Sequence, residues 1–172
     1  GKILRVNITK GTAEAEPLNM EWAESYMGVR GLGTKYLWEN MDPQADPLGP
    51  DNVLIFANGP LTGTMAPTSS RYAVLCKGPL TGAIACSNSG GKFGAELKFA
   101  GYDMLIIQGR SEKPVYLSVV DDKVELLPAD DIWGTTVWHT EEWIKETHND
   151  PLIRVASCGQ AGENLCRYAA VV

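Results

Sequence analysis

The run Cys86-Ser87-Asn88-Ser89-Gly90-Gly91-Lys92-Phe93-Gly94-Ala95-Glu96-Leu97-Lys98-Phe99-Ala100-Gly101-Tyr102-Asp103 joins a turn of small residues to the start of a short helix. The N–H groups of residues 88–91 have little side-chain bulk to shield them, and the first-turn donors of a helix have no intrahelical partners, so an anion such as phosphate can dock at the junction. Gly101 supplies the left-handed residue that closes the helix. An ordinary helix with Asn88 or Ser89 as its cap accounts for the same residues. On this segment alone the two readings stand side by side.

Upstream, residues 3–9 alternate apolar and polar, Lys10-Gly11 turns, and residues 12–17 return, which predicts a hairpin. A helix follows, with Asn19 as cap, a stripe of Met20, Trp22, Ala23, Tyr26 and Met27, and Gly28 as its end. Gly31-Leu32-Gly33 reads as a break before a second helix from residue 34 to about residue 41. Pro43, Pro47 and Pro50 mark a loop, and Val53-Leu54-Ile55-Phe56-Ala57 reads as a buried strand delivering Gly59. The C-terminal third repeats this grammar. Residues 115–120 and 123–127 form a second hairpin around Asp121-Asp122, with Glu125 and Pro128 standing where Glu14 and Pro17 stood. A helix over 140–148, a strand over 153–157 and a turn at Gly159 follow. The expectation is an α+β fold with two pseudo-repeated β-sheet halves and flanking helices: a first half over 1–58, a middle segment over 59–112 and a second half over 113–172.

The middle segment carries its own echo, Gly59-Pro60-Leu61-Thr62-Gly63 and Gly78-Pro79-Leu80-Thr81-Gly82. Proline presets one turn dihedral and glycine accepts positive φ, so each copy reads as a tight corner. A strand from Tyr72 to Cys76 connects them. The two corners and the residue 88–91 loop are expected to gather at one edge of the sheet, a platform for a flat ligand. Arg71, between the small turn Thr68-Ser69-Ser70 and that strand, can fork onto a phosphate or a polar ring edge. A surface ion pair is its plainer role.

With 172 residues and 44% hydrophobic content the chain is one domain with a real core. A net charge of -6 excludes a broad polyanion-binding face, so no nucleic-acid partner is expected. No apolar run approaches the roughly 18 residues that span a bilayer, and there is no basic leader, so a cytoplasmic location without membrane contact is expected. Cys76, Cys86, Cys158 and Cys166 match neither zinc nor iron–sulfur ligand spacing, and read as small buried hydrophobes in the reduced state. The chain starts at Gly1 and stops on Ala170-Val171-Val172, an apolar run of strand character. We therefore expect a piece of a longer polypeptide.

No nucleophile elbow, His-Glu-x-x-His helix, Walker loop or Gly-x-Gly-x-x-Gly fingerprint is present. His139 and His148 lie among Glu141, Glu142 and Asp150, where surface charge partners explain them. No residue of this chain is expected to be catalytic.

Taken together, Gly1-Lys2-Ile3-Leu4-Arg5-Val6-Asn7, Gly31-Leu32-Gly33, Asp51-Asn52 leading to Gly59-Pro60-Leu61-Thr62-Gly63-Thr64, Ser70-Arg71-Tyr72, the residue 86–103 segment, Lys113-Pro114-Val115-Tyr116, Ile132-Trp133-Gly134, Gly162-Glu163-Asn164 and Tyr168-Ala169-Ala170 resemble the N-terminal domain of tungsten-containing aldehyde ferredoxin oxidoreductases. The resemblance runs along essentially the whole chain. It implies an enzyme of anaerobic metabolism that oxidises an aldehyde and water to a carboxylic acid at a tungsten bis-pterin centre of the molybdopterin type, and passes electrons through a 4Fe-4S cluster to ferredoxin or a similar acceptor. It places the arginine matching Arg71 between pterin and cluster. The backbone carbonyl matching Asn88 would bind a magnesium ion joining the phosphates of two pterins, and the loop matching Ser89, Gly90 and Gly91 would contact the cofactor through its backbone. The family's cluster-ligating cysteines, acid–base residues and second pterin loop all map beyond Val172. The missing C-terminal domains of the same polypeptide are thus expected partners, along with a homodimer mate, and the chain alone is expected to be inactive. The same superfamily includes tungsten or molybdenum reductases of aromatic acyl-CoA esters, which is an alternative reading. A non-catalytic binding or scaffold module is a further one. A longer gene product with a later Cys-x-x-Cys-x-x-x-Cys would separate the enzymes from the module.

Overall fold

The computed structural model describes all 172 residues. Eight strands and five helices follow in the order β1 (Lys2–Asn7), β2 (Thr12–Pro17), α1 (Met20–Tyr26), α2 (Val29–Asn40), β3 (Val53–Asn58), β4 (Tyr72–Lys77), β5 (Ile84–Ser89), α3 (Phe93–Phe99), β6 (Met104–Gln108), β7 (Val115–Val120), β8 (Lys123–Pro128), α4 (Val137–Thr147) and α5 (Gly159–Glu163). Six strands form one mixed sheet in the order β2-β1-β6-β3-β4-β5. Only β1 and β6 run parallel within it; the other neighbouring pairs are antiparallel. The second hairpin, β7 with β8, stands as a separate two-stranded sheet. This is the expected α+β class with two sheets and flanking helices.

Strand alternation builds a core on each side of the large sheet. Ile3, Ile55, Ala57, Ala73, Leu75, Met104 and Ile106 face Leu32, Tyr36 and Leu37 of α2. Leu4, Val6, Phe56, Tyr72 and Leu105 face the other way, where Leu97 of α3 and the half-buried Leu117, Val119, Val124 and Leu126 of the second hairpin cover them. The C-terminal third therefore packs as a layer on the sheet that residues 1–112 build. A smaller cluster of Ala129, Ile132 and Ile144 binds α4 to the second hairpin.

Local signals explain several elements. Asn19 caps α1, its Oδ1 accepting from the Trp22 N–H at 3.0 Å, while its own N–H donates to the Tyr36 hydroxyl at 2.9 Å. Thr136 does the same for α4, accepting from the His139 N–H. Gly101, with φ of 96°, follows α3 as expected.

Several sequence expectations need correction. Gly31-Leu32-Gly33 does not break the chain; α2 runs through it. The glycine is there for close packing, because a Cβ at Gly33 would lie 2.6 Å from Leu75 Cδ1 and 3.3 Å from Ala57 Cβ. Residues 153–157 form no ladder strand. Ser157 exchanges N–H and C=O bonds with Val172 at 2.9 Å, the Ile153 N–H donates to the Asp150 carbonyl in a turn, and Ile153 and Val155 pack against the third cluster. Asn88 and Ser89 do not cap α3: both belong to β5, and Lys92 precedes the helix without a side-chain cap. The cysteines are less buried than expected. Cys76 and Cys86 are half-buried, Cys158 and Cys166 are exposed, and all four are free. Burial still pushes the Cys76 thiol pKa up, which keeps it protonated.

Candidate functional site

Three strands of the large sheet end together. Asn58 of β3 pairs with Tyr72 of β4, and Tyr72 pairs with Ser89 of β5. Arg71 and Gly90 are the next residues beyond the last pair, so they flank the same rung. The residue 59–71 loop and the residue 90–92 loop consequently rise from one end of the sheet, side by side. The other echo corner is elsewhere. Gly78-Pro79-Leu80-Thr81-Gly82 follows Lys77 at the far end of β4, about 17 Å away for a six-residue strand. The expected gathering of both corners is corrected to one corner at each end.

The same five-residue word does two jobs. Gly63 and Gly82 both adopt positive φ, 78° and 68°. Thr62, however, is buried, and its Oγ1 accepts the Gly59 N–H at 3.0 Å and donates to the Arg71 carbonyl at 2.9 Å. Thr81 is exposed and accepts only from the Ala83 N–H. Further bonds, from the Gly63 N–H to the Ser69 carbonyl and from the Ser69 hydroxyl to the Thr64 carbonyl, make the 59–71 loop a self-supporting structure.

That loop holds Arg71 in place by its backbone while the side chain stays exposed. The guanidinium makes no ion pair and no hydrogen bond within the chain, whereas Lys98, on the neighbouring helix, is paired with Asp103 at 2.5 Å. Asn88 is exposed on β5, an edge strand whose free side carries unpaired backbone groups. Gly90 and Gly91 lie open: a Cβ on either would meet nothing within 4 Å, and Gly91 has φ of 76°. All five expected contact residues therefore lie at or beside one sheet end.

Three of the six non-glycine residues with positive φ lie nearby. Of the non-glycine residues with positive φ, Met27 (62°) and Val29 (45°) form the junction between α1 and α2, and Thr68 (59°) lies in the 59–71 loop. The junction rests on the corner, since a Cβ at Gly28 would come 3.0 Å from Pro60 Cδ and one at Gly59 would come 3.1 Å from Val29 Cγ2. A β-branched residue at positive φ is costly and persists where its surroundings over-determine it.

A separate cleft lies at the opposite end of the sheet. It measures about 680 Å³ and is lined by Asn7, Asn40, Asp42, Asp46, Asp51 and Gln108 among others. Three carboxylates make it a poor home for an anion. His148 is also remote, and its partner corrects the expectation of a carboxylate: Nε2 lies 3.0 Å from the Tyr116 hydroxyl. His139 is exposed on α4, and no group of histidines, cysteines and carboxylates is arranged to hold a metal. Sequence reasoning missed two residues at the site. Asn58, the one polar side chain after the apolar run 53–57, is 5% exposed and has no partner for either amide atom. Gly94 lies over it, and a Cβ there would come within 2.8 Å of Asn58 Oδ1.

This is a mixed α+β domain that presents a free guanidinium, an open glycine loop and a strained corner at one end of its sheet. The chain belongs to the family "Aldehyde ferredoxin oxidoreductase, N-terminal domain", whose profile matches residues 3–172. It is 54% identical over its full length to the tungsten-containing aldehyde ferredoxin oxidoreductase of Pyrococcus abyssi, and 32% identical to the WOR-like subunit of an aliphatic sulfonate oxidoreductase from Pyrococcus furiosus. A solved structure, the active-site complex BamBC of benzoyl coenzyme A reductase with 1,5 dienoyl-CoA, superposes on the whole chain with a TM-score of 0.98 at 40% identity, covering 26% of that chain. This chain spans 28% of the length of the Pyrococcus abyssi relative. No helix is long and apolar enough to cross a membrane.

Proposed function

We propose that the chain forms the pterin-binding base of a tungsten-dependent aldehyde:ferredoxin oxidoreductase. The observation that carries this reading is the convergence of unpartnered Arg71 with the open loop of Ser89, Gly90 and Gly91 on one strand rung, in a chain 54% identical to an enzyme of that name. The residues fit a phosphate-bearing, flat cofactor. Arg71 offers charge-assisted donors, and Gly90 and Gly91 leave room for close backbone approach.

When bound, a tungsten bis-pterin supplies the electron-transfer chemistry, and the protein supplies binding and orientation. Arg71 would hold the cofactor's phosphate or pterin edge through its guanidinium donors, the N–H groups of residues 89–91 would donate to cofactor oxygens, and the Asn88 carbonyl would contribute to a magnesium ion. The 59–71 loop keeps Arg71 at a set height through Thr62. The 4Fe-4S cluster, the acid–base residues and the path to ferredoxin belong to polypeptide outside residues 1–172, and the homodimer of the family is part of the same proposal.

The alternative, an aromatic acyl-CoA reductase, is favoured by the benzoyl coenzyme A reductase superposition, but identity to the aldehyde-named relative is higher over the same residues. Assay of the full-length polypeptide decides between them. Aldehyde-dependent viologen reduction supports the proposal; acyl-CoA-dependent redox turnover without aldehyde oxidation overturns it.

A further inference from the structure

Asn58 ends β3 with its side chain on the α3 side of the sheet, the side also occupied by Phe56 and Tyr72. Its backbone is fully employed, the N–H donating to the Asp103 carbonyl at 2.9 Å. The carboxamide is not. A primary amide has two donors and an acceptor with two lone pairs, and burying it without partners costs stability that an apolar side chain of similar size would not. The strand end gains nothing from it.

Its position supplies a reason. The rung that includes Asn58 runs through Tyr72 to Ser89, from which the residue 90–92 loop departs and returns to Gly94 above the amide. The missing Cβ of Gly94 brings main chain and amide together. Over the orphaned acceptor begins a helix whose first N–H groups have no side-chain cap. Donors and acceptor thus lie near one another, beside the mutually packed rings of Phe56, Tyr72 and Phe93.

We infer that Asn58 is a positioning residue for the cofactor loop: its carboxamide bonds the main chain at Gly94 as residues 90–92 close on a pterin phosphate, which fixes the depth at which Ser89, Gly90 and Gly91 present their N–H groups. The inference rests on the cofactor reading above. Because both amide atoms are buried within the chain, Asn58 acts through the loop and not by touching the cofactor.

The test uses the full-length polypeptide produced with its cofactor supply, as wild type, Asn58→Leu and Asn58→Asp. Three quantities are read: pterin and tungsten per chain after desalting, amide exchange over residues 89–95, and the thermal midpoint. Asn58→Leu is expected to fold with an unchanged or raised midpoint, yet to retain about tenfold less pterin, the loss of roughly one good hydrogen bond, and to exchange faster over 89–95. Asn58→Asp keeps an oxygen that can accept the uncapped N–H groups at the start of α3 and is expected to retain more pterin than Asn58→Leu. Wild-type retention and protection in Asn58→Leu, whatever its midpoint, overturn the inference and leave the amide holding a buried water. Should that variant not fold, Asn58→Ala is read in its place, and wild-type retention and protection there overturn the inference. If Arg71→Ala and Gly90→Val lose pterin while Asn58→Leu keeps it, only this inference falls; if all three keep it, the site itself is wrong.

Discussion

The hydroxyl of Thr62 donates to the carbonyl oxygen of Arg71 at 2.9 Å while accepting the N–H of Gly59, so one buried side chain joins the first and last residues of the loop that carries the guanidinium. Thr62→Val keeps the shape and removes both bonds, stranding a buried donor and an acceptor. We expect a loss of about 1–3 kcal/mol in chemical denaturation, together with reduced cofactor retention. Thr62→Ser keeps the oxygen and should fall well short of that loss. Equal stability of the valine variant and wild type would show that the loop does not depend on this tie.

Two glycines separate packing from binding. Gly33 lies against Leu75 and Ala57 in the core, so Gly33→Val should cost about 1–3 kcal/mol through overpacking. Gly90→Ala meets no neighbour and should leave stability within about 0.5 kcal/mol. Denaturant midpoints of the two variants check the contrast, and a destabilised Gly90→Ala would mean the loop is packed against something.

The fold was legible where hydrophobic period and cap residues agree: both hairpins, Asn19 ahead of α1, and the strand leading to Gly59 follow from local pattern. Glycine misled in one place, because nothing local distinguishes Gly33, which allows a helix to approach a sheet, from a glycine that ends a helix. The stretch 153–157 has strand composition, but its only strand-like pairing is Ser157 with Val172, a fact of tertiary arrangement. The two Gly-Pro-Leu-Thr-Gly corners looked equivalent until the direction of β4 placed them at opposite ends. At the candidate site, residue type and resemblance point to Arg71 and residues 88–91, which the structure places at one sheet end. They do not point to Asn58, since an unpaired amide becomes visible only when its surroundings are built.

The thiols should differ in reactivity. Burial raises the Cys76 pKa above its ordinary value, so at pH 8 iodoacetamide is expected to label exposed Cys166 first and Cys76 last, by peptide mass mapping. The same shift has a stability sign. Above the unfolded pKa the unfolded thiol ionises while the folded one stays protonated, so stability falls as pH rises, by at most about 1.4 kcal/mol per pH unit from this group. A Cys76→Ala variant whose alkaline unfolding matches wild type would remove this residue from the account.

Residues 1–172 alone should be catalytically silent and prone to self-association. Leu61 (60% exposed), Met65 (100%) and Phe99 (66%) leave an apolar surface where the 59–71 loop crosses α3. We expect no viologen reduction with aldehyde, and oligomers by light scattering that diminish in Leu61→Glu/Phe99→Glu. Robust turnover by this chain, or a clean monomer at high concentration, would contradict the respective half of this expectation.

On the proposed function, Arg71 and the Gly90 loop hold the cofactor while the chain folds without it. Pterin and tungsten per chain, measured in the full-length polypeptide for wild type, Asn88→Ala, Arg71→Ala and Gly90→Val beside their unfolding midpoints, address this most directly. Arg71→Ala removes charge-assisted hydrogen bonds of about 1.5–3 kcal/mol each, and Gly90→Val blocks close approach of the backbone. Both variants should unfold like wild type and lose most of their cofactor, with Asn88→Ala, which keeps its carbonyl, the mildest. Full cofactor in both Arg71→Ala and Gly90→Val would place the pterin site elsewhere on this domain.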